Sequence, residues 1–181
     1  MNKEKLLLHF CCGPCGMGVL EKLSSAKQFL ITGFFYNPNI WPEEEYKRRL
    51  QACEKAAAAR KIELITGPYE NFIFEERVKD YSKEKEGGKR CLICYRLRLE
   101  KTAATARERG LDIFATTLTI SPFKKAGVIN ALGKELAKEY GLNFYEADFK
   151  EDKGFAKSIK LSHELGLYRQ KYCGCRYSCP S

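Results

Sequence analysis

The chain has 181 residues, nine of them cysteine, and a formal net charge of +9. That length supports one domain with its own apolar core, so disulfide staples are not needed for folding, and no apolar run approaches the ~20 residues of a membrane span. The segment LLLHF is too short, and too soon followed by Cys-Cys-Gly, to serve as a secretory leader. A reducing, cytoplasmic setting is expected, where closely spaced cysteines are metal ligands or redox thiols rather than structural bridges. The lysine and arginine excess favours a polyanionic partner, nucleic acid first, because neutralised phosphates release condensed counterions.

In chain order, short apolar runs alternate with longer amphipathic segments, the pattern of parallel strands joined by crossover helices. Strands are expected at 5–10, 30–36, 62–66, 112–117 and 143–146. Helical spacing covers 17–23, 42–60, 95–109 and 126–140, with Gly110 and Gly141 after the last two as helix stops. The hydrophilic stretch 82–89, with Gly87-Gly88, is the expected mobile loop. No repeat or low-complexity linker divides the chain, so residues 1–181 read as a single α/β domain. Its expected fold is a Rossmann-like open parallel sheet with a helical, cysteine-rich C-terminal part.

Ligands of such sheets bind beyond the carboxyl ends of the strands. The loop FCCGPCG follows the first strand directly, which puts Cys11, Cys12 and Cys15 at that edge. SPFKK follows the strand at 112–117 and reaches the same edge, with the next helix turning its N-terminus towards anions. It reads either as a substrate loop or as a plain strand-to-helix turn.

Eight of the nine cysteines fall into three tight groups: Cys11-Cys12-x-x-Cys15, Cys91-x-x-Cys94, and Cys173-x-Cys175 with Cys179 close behind. Cys53, inside a helical run, is expected to be core filler. Cys91 and Cys94 stand where the Gly87-Gly88 loop enters a helix, whose first amides favour thiolates. Paired with two thiolates from the first loop they would make a four-thiolate site, suited to zinc or to an iron-sulfur cluster. A structural zinc would not need the three further cysteines of the tail. A Cys-x-Cys loop is too short for an unstrained bridge, which suits a redox couple; the alternative is ligation of a second metal. His9 and His163 are the only histidines, and no nucleophile elbow accompanies them, which argues against acyl hydrolysis. Neither a P-loop nor a dinucleotide fingerprint is present.

HFCCGPC at 9–15, FYNPNIWPEEEYKRR at 35–49, GKRCLICYRLRL at 88–99, TTLTISPFKK at 116–125 and LYRQKYCGC at 167–175 together resemble the cobalamin-independent epoxyqueuosine reductase family, QueH. The resemblance implies a sheet of the nucleotide alpha-hydrolase (HUP) type and reduction of the epoxide of epoxyqueuosine, at the wobble position of tRNA, to queuosine. It also implies a 4Fe-4S cluster on Cys11, Cys12, Cys91 and Cys94, and a redox-active disulfide between Cys173 and Cys175. A separate electron donor, of a nature the residues leave open, is implied as well.

On that basis an additional mononuclear iron beside the cluster is expected on Cys15 and Asp148. Tyr36, Tyr172 and His9 are candidates for the proton donor, and Asn37, Asn39, Trp41, Arg48, Lys124 and Lys125 for contacts to the nucleoside or RNA backbone. Two rival readings remain. One is a zinc-stabilised RNA-binding module without catalysis. The other is an ATP-pyrophosphatase-like tRNA thiolation enzyme, whose usual Ser-Gly-Gly-x-Asp-Ser loop is missing after the first strand.

Overall fold

The computed structural model describes residues 3–180. Strands β1 (Glu4–His9), β2 (Phe29–Phe35), β3 (Leu64–Thr66), β4 (Ile113–Thr116) and β5 (Asn143–Phe144) form one parallel sheet in the order β3-β2-β1-β4-β5. Around it run helices α1 (Gly13–Ser25), α2 (Glu43–Ala59), α3 (Asn71–Val78), α4 (Lys89–Glu108), α5 (Ala126–Tyr140) and α6 (Gly154–Glu164). Side chains of β1 alternate between the faces of the sheet. Leu6 and Leu8 join Leu20 of α1 and Cys53 of α2, whereas Leu7 joins Leu99 of α4 and Ile129 and Leu136 of α5. Both faces are therefore apolar, which is why β1 reads as an unbroken leucine run rather than an alternating one. Helix α6 packs outside α1, and Gly18 permits the approach: a Cβ there would meet that of Ser158 at 2.5 Å.

The chain leaves β1 towards β2 on one side and returns at β4 on the other. This reversal opens a crevice at the carboxyl ends of β1 and β4, where His9 lies in register with Thr116. The His9 ring is fully buried, with Nδ1 2.9 Å from the Thr116 hydroxyl and Nε2 3.2 Å from the Tyr36 carbonyl. A carbonyl can only accept, so Nε2 carries a proton. Burial, followed by the Arg98 charge, pushes its pKa down to about 3.

The native state thus binds fewer protons at His9 than the unfolded chain, whose histidine titrates near 6.5. This contribution to stability is complete above that value and is lost as pH falls towards 3. Unfolding free energies from urea titrations should be roughly 2 kcal/mol lower at pH 5 than at pH 7 from His9 alone. The difference attributable to this residue should vanish in His9→Gln.

Several boundaries differ from sequence expectation. Helix α1 begins at Gly13, not at residue 17, because Cys12 caps it: its Sγ accepts the Cys15 N–H at 3.4 Å, and Pro14 pre-forms the first turn. Helix α4 begins at Lys89 rather than residue 95, which takes Cys91 and Cys94 into its first turns. Strand β4 gives way after Thr116 to a 3₁₀ turn over Thr117–Ile120, and β5 ends at Phe144. The stretch expected to be loosest is tethered, since Arg90 donates to the carbonyls of Tyr81, Ser82 and Glu84, and Glu84 accepts the Lys89 N–H at 2.9 Å. Among the described residues no helix is long and apolar enough to cross a membrane.

Candidate active site

The crevice is fastened where Thr117 follows β4: its hydroxyl accepts the Cys11 N–H at 2.9 Å and donates to Cys11 Sγ at 3.1 Å. The sulfurs of Cys11, Cys12 and Cys15 lie within 4.8 Å of one another, a group able to hold a metal ion. Contacts with the Cys12 and Cys15 thiols, then Arg98 and Thr117, outweigh burial and hold Cys11 well below the usual thiol range. Burial, with Cys11 next, pushes Cys12 up to about 12, and Cys11, then Cys12 and burial, push Cys15 well above its ordinary value. Within the trio the thiolate form is thus favoured at Cys11 and disfavoured at Cys12 and Cys15. A bound cation would reverse the two raised values, as thiolate ligation requires.

Cys91 and Cys94 belong to the apolar cluster on the other face, which Cys11 also touches and in which Cys175 is buried. Burial raises both thiols, Cys94 to about 12, although the Gly87 N–H, 3.2 Å from Cys91 Sγ, partly opposes this for Cys91. Beside Cys94 stands Arg98, buried, with Nη1 3.9 Å from Cys94 Sγ and Nη2 donating to Asn37 Oδ1. Lys124 forms another wall, its Nζ 3.5 Å from Cys173 Sγ. Burial works against its charge, yet Cys173, then Tyr95 and Cys11, hold it protonated above the ordinary lysine value. Cys11, Cys15, Arg98, Lys124, Tyr172 and Cys173 all line one cavity of about 380 Å³.

The tail that supplies Cys173 is clamped by Arg49, which is buried on α2. Its Nε donates to Glu45 at 2.7 Å, and Nη1 and Nη2 donate to the carbonyls of Cys173 and Tyr172 at 2.9 and 3.1 Å. Gly174, at φ +133°, presents its carbonyl to the Trp41 N–H at 2.8 Å, and a Cβ there would meet Arg49 Nη1 at 2.9 Å. Tyr168 completes the strap by donating to Glu45 Oε2 at 2.6 Å. Replacing Arg49 by methionine strands the buried Glu45 carboxylate and two carbonyls. The expected cost is about 3–5 kcal/mol, read as a melting temperature roughly 6–20 °C lower.

The family description of epoxyqueuosine reductase QueH matches residues 6–181. The chain belongs to the QueH family. A QueH of Dehalococcoides mccartyi is 40% identical, covering 96% of this chain and 92% of that protein. The QueH of Staphylococcus aureus is 39% identical over 97% of this chain and 76% of its own length. Among solved structures, the predicted subunit of a tRNA methyltransferase from Methanocaldococcus jannaschii superposes with a TM-score of 0.61 at 11% identity, covering 87% of this chain and 76% of that one. The U34-tRNA thiolase NcsA from Methanococcus maripaludis, solved with its 4Fe-4S cluster, gives 0.58 at 15% identity, covering 100% and 63%. At such identities these two establish a shared fold alone, the Rossmann-like sheet expected from the sequence.

In this QueH chain the residues expected to touch RNA are divided. Lys124 lines the cavity, while Arg48 and Lys125 are exposed outside its lining. Asn37 and Asn39 are buried; Asn37 donates to the Phe10 carbonyl at 2.8 Å and accepts from Arg98, so it is a fixed part of the core. Trp41 is partly exposed beneath the Arg176 guanidinium, 5.3 Å from its ring centre. Of the three proton-donor candidates only Tyr172 lines the cavity; its hydroxyl donates to the Trp41 carbonyl, and burial, then Glu45, raises its pKa to about 12. Tyr36 donates to Glu70 instead.

Cys173 and Cys175 are free thiols here, the reduced form of the expected couple, with Cys175 Sγ 3.4 Å from the Ser178 hydroxyl. One expectation is corrected. Asp148 pairs with Lys150 at 2.9 Å and lies outside the thiol group, so the expected Cys15–Asp148 iron site is not assembled. Cys53 is core filler, as expected. Sequence reading overlooked Arg98, Arg49 and Thr117. The first two carried a faint signal, being one helical turn beyond Cys94 and Glu45 respectively.

Proposed function

We propose that this QueH protein carries out its family's epoxyqueuosine reduction on tRNA with a 4Fe-4S cluster held by Cys11, Cys12, Cys91 and Cys94, and with Cys173 and Cys175 as a dithiol. The observation that carries the reading is a cavity lined by Cys11, Cys15 and Cys173 together with Arg98 and Lys124, beside an apolar cluster that holds Cys91, Cys94 and Cys175 and that Cys11 touches, in a chain matched over residues 6–181. The donor set suits the cofactor. The sulfurs are soft, and a cluster spreads its thiolates wider than one ion does, so Cys91 and Cys94 need not enter the tight Cys11 group. When bound, such a centre supplies single electrons.

Removing the epoxide oxygen takes two electrons and two protons and releases water. Closure of Cys173 and Cys175 to a disulfide furnishes that number of each, and an external donor then reopens the bridge. Arg49 and Gly174 hold the pair over the cavity, and Lys124 keeps a proton on Nζ beside Cys173. The cavity volume suits a single extruded nucleoside.

RNA loops are read by stacking of splayed bases and by Arg or Lys contacts. Phe123 is 82% exposed at the cavity wall, where Arg169 and Lys171 also stand. Phe123→Ala should weaken tRNA binding by about 1–3 kcal/mol, roughly 5- to 150-fold, in a filter or anisotropy titration at fixed salt.

The deciding experiment is anaerobic incubation of the iron-reconstituted protein and reductant with epoxyqueuosine tRNA, followed by nucleoside mass spectrometry. Queuosine should appear. A colourless protein with stoichiometric zinc and no conversion would support the RNA-binding module instead.

A further inference from the structure

Arg98 is buried to 3% exposure, yet its hydrogen-bond partners are an amide and a thiol: Asn37 Oδ1 and Cys94 Sγ. Its Nε finds no partner among the described residues. Arg49, equally buried, has the Glu45 carboxylate, and Arg90 has three carbonyls. A buried guanidinium without a carboxylate is costly unless negative charge arrives by another route. At this position the source is sulfur: Cys94 lies on one side, and Arg98 shares the cavity lining with Cys11. Asn37 cannot turn away, because its Nδ2 is tied to the Phe10 carbonyl at 2.8 Å, just ahead of Cys11. The cation also rides one turn beyond Cys94 on the same helix, so helix and charge move together.

We propose that Arg98, aimed by Asn37, sets the redox poise of the thiolate-held centre by keeping a fixed positive charge beside Cys94 in the cavity it shares with Cys11. The proposal rests on the cluster reading given above. Adding an electron makes such a centre more negative, so a nearby fixed cation favours the reduced form and raises the midpoint potential. Asn37, expected from sequence to meet the nucleoside, then acts as a positioning residue for the cation.

The test is an anaerobic redox titration of the reconstituted full chain, followed by the spectrum of the reduced centre, with iron and sulfide counted in each sample. Arg98→Gln should bind the same iron but show, at the wild-type midpoint, at least a tenfold lower ratio of reduced to oxidised centre, equivalent to about 59 mV for one electron. Arg98→Lys should remain within threefold of wild type. Should Arg98→Gln not retain iron, Asn37→Asp decides: its carboxylate would neutralise the untouched guanidinium and lower the ratio in the same direction. A ratio within threefold of wild type in the deciding variant, at equal iron and sulfide, overturns the proposal while leaving the cluster intact. A wild-type protein that takes up neither iron nor sulfide overturns the cluster reading, and this proposal with it.

Discussion

Cys12→Ser should yield a folded protein that has lost its colour and at least about 100-fold of its turnover. Even groups that merely orient metal ligands are worth 10- to 100-fold, so losing a ligand sets that as the floor. The serine is chosen because Cys12 does two things. It is a proposed ligand, and it caps α1 by accepting the Cys15 N–H. Serine is among the best capping residues, so the helix keeps its start while the soft donor is lost. Iron and sulfide per chain, a thermal melt and multiple-turnover queuosine formation separate the roles. A serine variant with undiminished iron and turnover would remove Cys12 from the ligand set.

Cys175→Ser should lower single-turnover conversion by something on the order of 10³-fold, the scale of removing one member of a catalytic unit. The cysteine is buried with its sulfur near the Ser178 hydroxyl, so an oxygen there keeps a hydrogen bond and the tail should stay seated. Cys173 would keep Lys124 beside it but lack a partner with which to form a bridge. Single turnover is the informative regime, because external reductant cannot then restore the pair. Undiminished conversion would exclude the dithiol as the immediate source of electrons.

The sheet was legible because its strands are local: apolar runs of strand length separated by helical spacing give the parallel architecture, and the loops after the first and fourth strands follow from it. The active edge came with that, including Cys11 and Lys124. What stayed hidden depends on partners far along the chain. Asn37 looks like a loop residue until Arg98, 61 residues later, reaches it, and Arg49 looks like solvated surface until the carbonyls of the tail, more than 120 residues on, fall onto its fork. Charged residues are outside unless paired, and sequence spacing does not reveal pairing at such range. The early starts of α1 and α4 were missed for a related reason. A cysteine sulfur acting as cap, and a Gly-Lys-Arg-Cys entry, lack the usual oxygen-bearing start signals.

The contact between Cys11 and Thr117 joins segments 106 residues apart. A receptacle made at such a junction has no local precursor, since closing long loops is entropically costly until the strands around them have paired. Assembly of the polypeptide should accordingly come before loading with iron. The inorganic centre would enter a nearly finished vessel and lock its halves together, in the way any guest that prefers the native state deepens that state's free-energy well.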